Sequence, residues 1–324
     1  MKKWMKTVAS MMVFTMAMTG CGGSGDSADD AANKYTVGIV QQLEHPALDA
    51  ASLGFQEKLT ELLDGNVTFD YQNAQGEQTN CTTIATKFVS DGVDLIMANA
   101  TTALQSAAAA TADIPIVGTS VTDYVTAGVA DSNEASGRNV TGASDLAPID
   151  EQIAMLRELV PDAQKVGIVY CSAEPNSMYQ SKLAQAELDK ANIAWEEYTA
   201  ADSNEVQSVV TKAVSECDVL YIPTDNTMAN NTEIIKNVAV PAGVPVIAGE
   251  EGICSGCGVA TLSISYYDLG VKAAEMAYEI LVNGADPAEM PIEYVSEGIT
   301  EKYNAEIAEA LQIAIPEGMV AIGE

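Results

Sequence analysis

The feature that most constrains the fold is a rhythm of short apolar runs alternating with amphipathic stretches, repeated twice along the chain. The first cycle opens at Tyr35–Gln41 (YTVGIVQ), which is short, β-branched and apolar, as a buried strand requires. Helical spacing over 47–63 follows, then a strand at 67–71, a helix at 79–90, a strand at 94–98, an alanine-rich helix at 102–111 and a strand at 115–118. Strands separated by helices cannot pair as tight hairpins, so this order predicts a parallel sheet with helices on both faces.

The rhythm restarts after 139–144. A helix is expected at 150–159, with Ile153, Leu156 and Val160 on one face, and the run KVGIVY at 165–170 resembles the opening KYTVGIV. Helices at 176–191, 205–215 and 231–240 then alternate with strands at 194–199, 218–222 and 244–248. A further strand at 259–264 leads into a helix at 267–283, on which Leu269, Ala273, Met276, Ala277 and Ile280 form one apolar stripe. The fold class is therefore α/β, with two doubly wound parallel-sheet lobes joined by crossover hinges. Lobe 1 is expected over 34–144 and 262–284, and lobe 2 over 145–261 and 285–324, with the helix near 304–316 packed on lobe 2.

Ahead of this body lies a different kind of sequence. Lys2, Lys3 and Lys6 form a basic start, 11–18 is a brief apolar run, and Thr19-Gly20-Cys21 closes it. That pattern fits a lipoprotein signal over 1–20, cut before Cys21, whose thiol would then carry the lipid. Residues 22–33 (GGSGDSADDAAN) contain no large apolar side chain, so a flexible tether is expected over 21–33. The apolar run is too short to span a bilayer. The expectation is a monomer anchored by lipid to the extracytoplasmic side of the cell membrane, as on a Gram-positive surface.

The net charge of −31 argues against nucleic acid as a partner, because phosphates need Lys and Arg to neutralise them. Six cysteines include Cys21, and the remaining five cannot all pair within the chain. Cys254-Ser255-Gly256-Cys257 is a lone CxxC in a glycine-rich stretch, without a further pair of ligands for zinc. It is expected to be a surface-loop pair, open to oxidation outside the cell. Neither a metal site nor a cofactor motif is read from the sequence.

In open parallel sheets, ligands bind beyond the carboxyl ends of the strands. Two facing lobes form a cleft that can close by hinge bending. The candidates are therefore the residues just after each strand. Glu44 and His45, the only histidine, precede Pro46, which suits a first helical turn. Thr101 and Thr102 begin the third helix, where hydroxyls and free N–H groups suit a carboxylate or a simple cap. Ser120 and Asp123 follow the fourth strand. In the second half, Glu174, Asn176 and Ser177 stand at a helix start, Asp225 and Asn226 follow the strand at 218–222, and Glu250 follows the strand at 244–248. Asp123, Asp225 and Glu250 are candidate partners for an ammonium group. Tyr124 and Tyr179 read first as packing residues.

These loops also carry a family resemblance. The stretches VGIVQQLEHPALDAASLGF, DYQNAQGEQTN, GTSVTDYV, NVTG, YCSAEPNS, YIPTDNT and YYDLG are similar to the tryptophan/tyrosine-type ABC-transporter substrate-binding proteins. The resemblance runs from about Lys34 to about Pro316. It implies a type I periplasmic-binding-protein fold, an amino acid as ligand (often aromatic) and an ABC permease with its ATPase as partner. The chain departs from the family pattern at GEEGICSGCGVATLSISYYDLG, where the CxxC lies.

The function expected is therefore capture of a small amino-acid-like ligand between the lobes for an importer. A membrane sensor's co-receptor, or a binder of a sugar, nucleoside or peptide, would share the same architecture. A hydrolase is disfavoured, since the chain has no GxSxG, no HExxH and no pair of histidines. A sugar-sensing transcription regulator would need a helix-turn-helix where this chain has its signal and tether.

Overall fold

The computed structural model of the protein describes residues 34–295 and 299–323. The expected signal, Cys21 and tether lie outside the described residues. The first half alternates β1 (Tyr35–Gln41), α1 (Pro46–Leu62), β2 (Val67–Asn73), α2 (Gln78–Asp91), β3 (Leu95–Asn99), α3 (Thr101–Ala110), β4 (Ile116–Val121) and β5 (Val140–Ser144). The second half runs α4 (Ile149–Leu159), β6 (Lys165–Cys171), α5 (Pro175–Ala191), β7 (Ala194–Ala200), α6 (Val206–Glu216), β8 (Val219–Ile222), α7 (Asn226–Ala229), α8 (Thr232–Ala242), β9 (Val246–Ala248), α9 (Glu251–Cys257) and β10 (Ala260–Ser263). It ends with α10 (Tyr266–Asn283), β11 (Ile292–Tyr294), β12 (Thr300–Tyr303), α11 (Ala305–Leu311) and β13 (Val320–Ala321).

Two sheets form. One has the order β11-β5-β4-β3-β1-β2, the other β13-β12-β10-β9-β8-β6-β7. The five strands read first in each half pair in one order, second-first-third-fourth-fifth, and all of those pairings are parallel. Among the described residues, only β12 runs antiparallel to a neighbour, β10. Each sheet reverses its winding beside its first strand, β1 or β6, and ligand crevices open at such points.

Each sheet is covered on both faces. Phe55 and Leu59 of α1 and Ala273 and Ala277 of α10 pack on one face of the first sheet, while Phe88 of α2 and Leu104 of α3 pack on the other. In the second lobe Leu156 of α4, Leu188 of α5 and Ile307 of α11 form one layer, and Val210 of α6, Ala239 of α8 and Ile253 of α9 the other. The stripe read on the helix at 267–283 is buried along its whole length. Burying a side chain the size of Phe55 or Phe88 contributes about 1.5–3 kcal/mol, and both are fully buried.

Helix α10 carries the chain from β10 of the second sheet back to the first lobe, where it lies against α1. The contact is close because it is built on glycine. A Cβ on Gly270 would stand 2.0 Å from the Ala51 carbonyl oxygen, and one on Gly54 2.2 Å from that of Tyr267.

Two expectations are corrected by the packing. Residues 285–324 do not all join the second lobe: β11 pairs in parallel with β5, at Ile292 opposite Gly142, and so extends the first sheet. A three-residue edge strand has too few alternating positions to announce its partner. The CxxC is not a surface loop. Cys254 and Cys257 lie on α9, both are buried, and both are free thiols. Their side chains fill space in the second lobe as small apolar groups, which is how buried cysteine usually behaves. Burial pushes both thiols well above their ordinary pKa.

Candidate functional site

The loops after β1, β4, β5, β6, β8 and β9 converge on one small cavity of about 10 Å³, together with the start of α10. His45, Leu48, Ser120, Asp145, Asn176, Thr224, Asp225, Asn226, Ala229, Glu250 and Tyr266 line it. The lobes touch across it: the His45 ring Nε2 lies 3.1 Å from Asn226 Oδ1, and Gln180 Nε2 donates to Thr122 Oγ1 at 3.3 Å.

On the first-lobe side, a buried amide network shapes the turn that presents His45. Gln41 at the end of β1 accepts from Ser52 Oγ at 2.6 Å and donates to Leu43 O at 2.9 Å and Asp49 Oδ1 at 2.7 Å. Asn99 at the end of β3 donates to Leu48 O at 2.8 Å and Ser52 Oγ at 3.0 Å. Pro46 then starts α1 with His45 extended at its N-cap, its ring making no capping bond.

Ser120 sits at φ 56° in a break of register between β4 and β5. A left-handed backbone costs a non-glycine residue about 1–2 kcal/mol, and such strain is often kept where a side chain must be re-aimed. Its hydroxyl is buried without a partner. Asp145 follows β5 and accepts from Thr122 Oγ1 and Tyr266 OH, each at 2.9 Å. Burial raises its carboxyl pKa.

On the second-lobe side, Glu174 before α5 gathers five donors: Asn226 N at 3.0 Å, Asn226 Nδ2 at 2.7 Å, Thr227 N at 2.8 Å, Thr227 Oγ1 at 2.7 Å and Asn176 Nδ2 at 3.3 Å. Asp225 caps α7 by accepting from Met228 N at 2.7 Å, and it also accepts from Cys171 N at 2.6 Å. Burial, with Glu174 close by, pushes the Asp225 carboxyl up to about 8. Glu250 caps α9 through Gly252 N and Ile253 N, and burial pushes it up to about 7. Asn176 donates to Thr224 O at 3.2 Å while its Oδ1 is left unpartnered, and Ser177 Oγ donates to Thr224 O at 3.4 Å.

Thus His45, Ser120, Asn176, Asp225, Asn226 and Glu250 meet at the cavity. Glu174 and Ser177 stand behind it, holding the loops. Thr101 is buried at the start of α3 but does not line it, and Thr102 faces an outer groove of about 460 Å³. The Thr102 N–H already donates to Gln42 Oε1 at 3.2 Å, which removes it as an anion donor. Glu44 is exposed, with Asn73 Nδ2 at 3.4 Å, and Asp123 closes a turn by accepting from Thr126 N at 2.6 Å. Both point away because the chain turns sharply after the strand end. Tyr124 is core, its hydroxyl donating to Ala143 O at 3.1 Å.

Sequence reading missed Asp145, Tyr266, Leu48, Thr224 and Ala229. Asp145 was findable: it directly follows β5, which was not read as a strand. Tyr266 lies in the YYDLG stretch, in the position after β10.

Chemically, the cavity offers three buried carboxyl groups and no Lys or Arg among the residues that line it. Three buried polar atoms there have no partner: His45 Nδ1, Ser120 Oγ and Asn176 Oδ1. Such atoms cost about 1–3 kcal/mol each unless something polar meets them. The arrangement suits a small ligand bearing a cationic donor, held between the lobes.

Comparison with known proteins agrees with this geometry. A tyrosine-binding protein of Clostridioides difficile is 38% identical over 306 residues, covering 91% of this chain and 88% of its own. An ABC domain from Streptococcus pneumonia, solved in complex with L-Trp, superposes with a TM-score of 0.85 at 31% identity, over 89% of this chain and all (100%) of that one. A substrate-binding protein with adhesive properties from Clostridium difficile, in its ligand-free, open structure, is more alike in sequence at 37%. Yet it superposes with a TM-score of only 0.69, over 89% of this chain and 99% of that one. Identity and superposition thus rank these two structures in opposite orders. A family model described as ABC transporter substrate binding protein matches residues 36–323. With two doubly wound lobes closed over one polar cavity and that match along nearly the whole folded body, the chain belongs to the ABC transporter substrate-binding proteins.

Proposed function

We propose that the ligand is an amino acid with an aromatic side chain, captured outside the cytoplasm and handed to an ABC permease. The observation that carries this is the cluster of Asp145, Asp225 and Glu250, all buried, around a cavity lined by no Lys or Arg among the described residues. A buried carboxylate is costly unless paired, and an ammonium group supplies the pair. The ligand carboxylate would then meet the first-turn N–H groups of α5 beside Asn176 and Ser177, with the Ser120 hydroxyl as a further donor. Relatives that bind tyrosine or tryptophan support the aromatic side chain.

Isothermal titration of the body from Lys34 onward with L-tyrosine, L-tryptophan and a sugar such as myo-inositol tests the reading. Saturable heat with an aromatic amino acid is expected, and heat with the sugar alone refutes it. Cys21 is proposed to carry the lipid and 22–33 to tether a monomeric binder near its permease, raising its local concentration there. Labelled palmitate should enter the wild-type protein and not the Cys21→Ala variant; equal labelling refutes the anchor.

A further inference from the structure

We propose that His45 is a specificity-determining residue that demands a hydrogen-bond donor from the ligand, because its link to Asn226 leaves the Nδ1 lone pair facing the cavity. The inference rests on the ligand reading above and adds the role of one atom. It follows from a chain of donors and acceptors. The Glu174 carboxylate accepts from both the N–H and the side-chain Nδ2 of Asn226. A carboxylate cannot donate, so the nitrogen of the Asn226 amide is the atom that faces it. The oxygen, Oδ1, must then face the other way, where His45 Nε2 stands 3.1 Å off. An amide oxygen only accepts, so Nε2 carries the ring proton. In a neutral ring the other nitrogen is a bare acceptor. That atom is Nδ1, which is buried and has no partner among the described residues.

The ring is neutral at physiological pH because burial lowers its pKa from 6.5, against the smaller pull of Asn226, Glu174 and Asp49. The other titratable groups lining the same cavity are Asp145, Asp225, Glu250 and Tyr266. An N–H or O–H of the ligand at Nδ1 removes the unmet acceptor; a ligand acceptor there would set two lone pairs against each other. In acid, the ring gains a proton at Nδ1 and turns from acceptor to donor. Binding therefore weakens as pH falls through the His45 pKa, below 6.5.

Two substitutions separate the ring's two nitrogens. His45→Gln keeps a donor near the Nε2 position, to hold Asn226, and removes the acceptor at Nδ1. His45→Asn keeps an acceptor near Nδ1 and loses the cross-lobe bond. Affinities for L-tyrosine, L-phenylalanine and 3-(4-hydroxyphenyl)propionate are measured by calorimetry in each. The analogues lack the phenol hydroxyl and the ammonium group respectively. His45→Gln should weaken L-tyrosine by about tenfold, and for one analogue the wild-type penalty should shrink by a similar factor. His45→Asn should retain that penalty. Equal penalties in wild type and His45→Gln for both analogues overturn the proposal. Because His45 is the only histidine, a nitrogen NMR spectrum of histidine-labelled protein reads its tautomer without any ligand. The Nε2–H form is expected at pH 7, titrating below 6.5. An Nδ1–H form, or titration at or above 6.5, overturns the proposal even if none of the three probes binds, a result that would sink the amino-acid reading separately.

Discussion

Alkaline pH should open the cleft of the ligand-free protein. In the closed lobes Asp225 is pushed up to about 8 and Glu250 up to about 7, both chiefly by burial. In an open cleft the same groups meet water, and a solvated carboxyl titrates near 4. The closed form thus binds more protons between pH 4 and 8, so acid favours it and each rise in pH within that range disfavours it. His45 acts in the opposite sense, because its lowered pKa makes the closed form bind fewer protons. That opposition fades above 6.5, where it amounts to about twofold at most, so the carboxyls dominate between pH 6.5 and 8. Over that interval Asp225 by itself shifts the closed-to-open ratio by roughly 16-fold, about 1.6 kcal/mol. Small-angle scattering at pH 6.5, 7.25 and 8 reads the change as a growing radius of gyration. Glu250→Gln should flatten part of the slope. Saturating L-tyrosine should abolish it, since an ammonium holds the carboxylates ionised without opening. A radius that stays constant, or falls as pH rises, would refute the argument that burial of these acids opposes closure.

Four further outcomes follow from the packing. Gly270→Ala places a methyl against the Ala51 carbonyl, and should cost about 3 kcal/mol or more, read as a lowered urea midpoint. Tyr266→Phe removes one of the donors to Asp145; amino-acid affinity should drop about tenfold while the melting temperature moves little. The five cysteines of the body are buried free thiols, so a thiol reagent should label none in the native protein and all five in denaturant. Fast native labelling of Cys254 or Cys257 would contradict their place in the core. Glu174→Gln turns one of its two acceptor oxygens into a donor, so at least two of its five donors lose that acceptor, and it should destabilise the second lobe by about 1–3 kcal/mol in thermal unfolding.

Most of the architecture was legible because it rests on local pattern. A buried parallel strand must be short and apolar, and its covering helix must carry an apolar stripe. Both leave marks at fixed spacing, as in YTVGIVQ and in Leu269 to Ile280. The twofold repeat of that pattern already implied two lobes and a cleft. It also put the search at the strand ends, where His45, Ser120, Asn176, Asp225, Asn226 and Glu250 indeed gather. What remained hidden depends on contacts between residues far apart in sequence. Glu44 and His45 are neighbours, yet one is exposed and the other buried, because the network centred on Gln41 and Asn99 sets the path of the turn. Asp123 and Asp145 look alike as residues beyond a strand. Only the bulge at Ser120 and the approach of Tyr266 put one in a surface turn and the other in the cavity.

The CxxC shows the same limit. Its spacing is as compatible with a loop as with a helix, and its burial depends on how α9 seats in the second lobe. Periodicity alone thus determined the alternation of parallel strands with covering helices, its twofold repeat and the end of the sheets where a ligand would lie, but not the short strands β5 and β11 or helix α9. Tertiary structure decided which polar side chains share one buried space and which atoms there lack a partner. The reason is physical: secondary structure follows from side chains a few positions apart, whereas a binding site is a balance of donors, acceptors and charges brought together from both lobes.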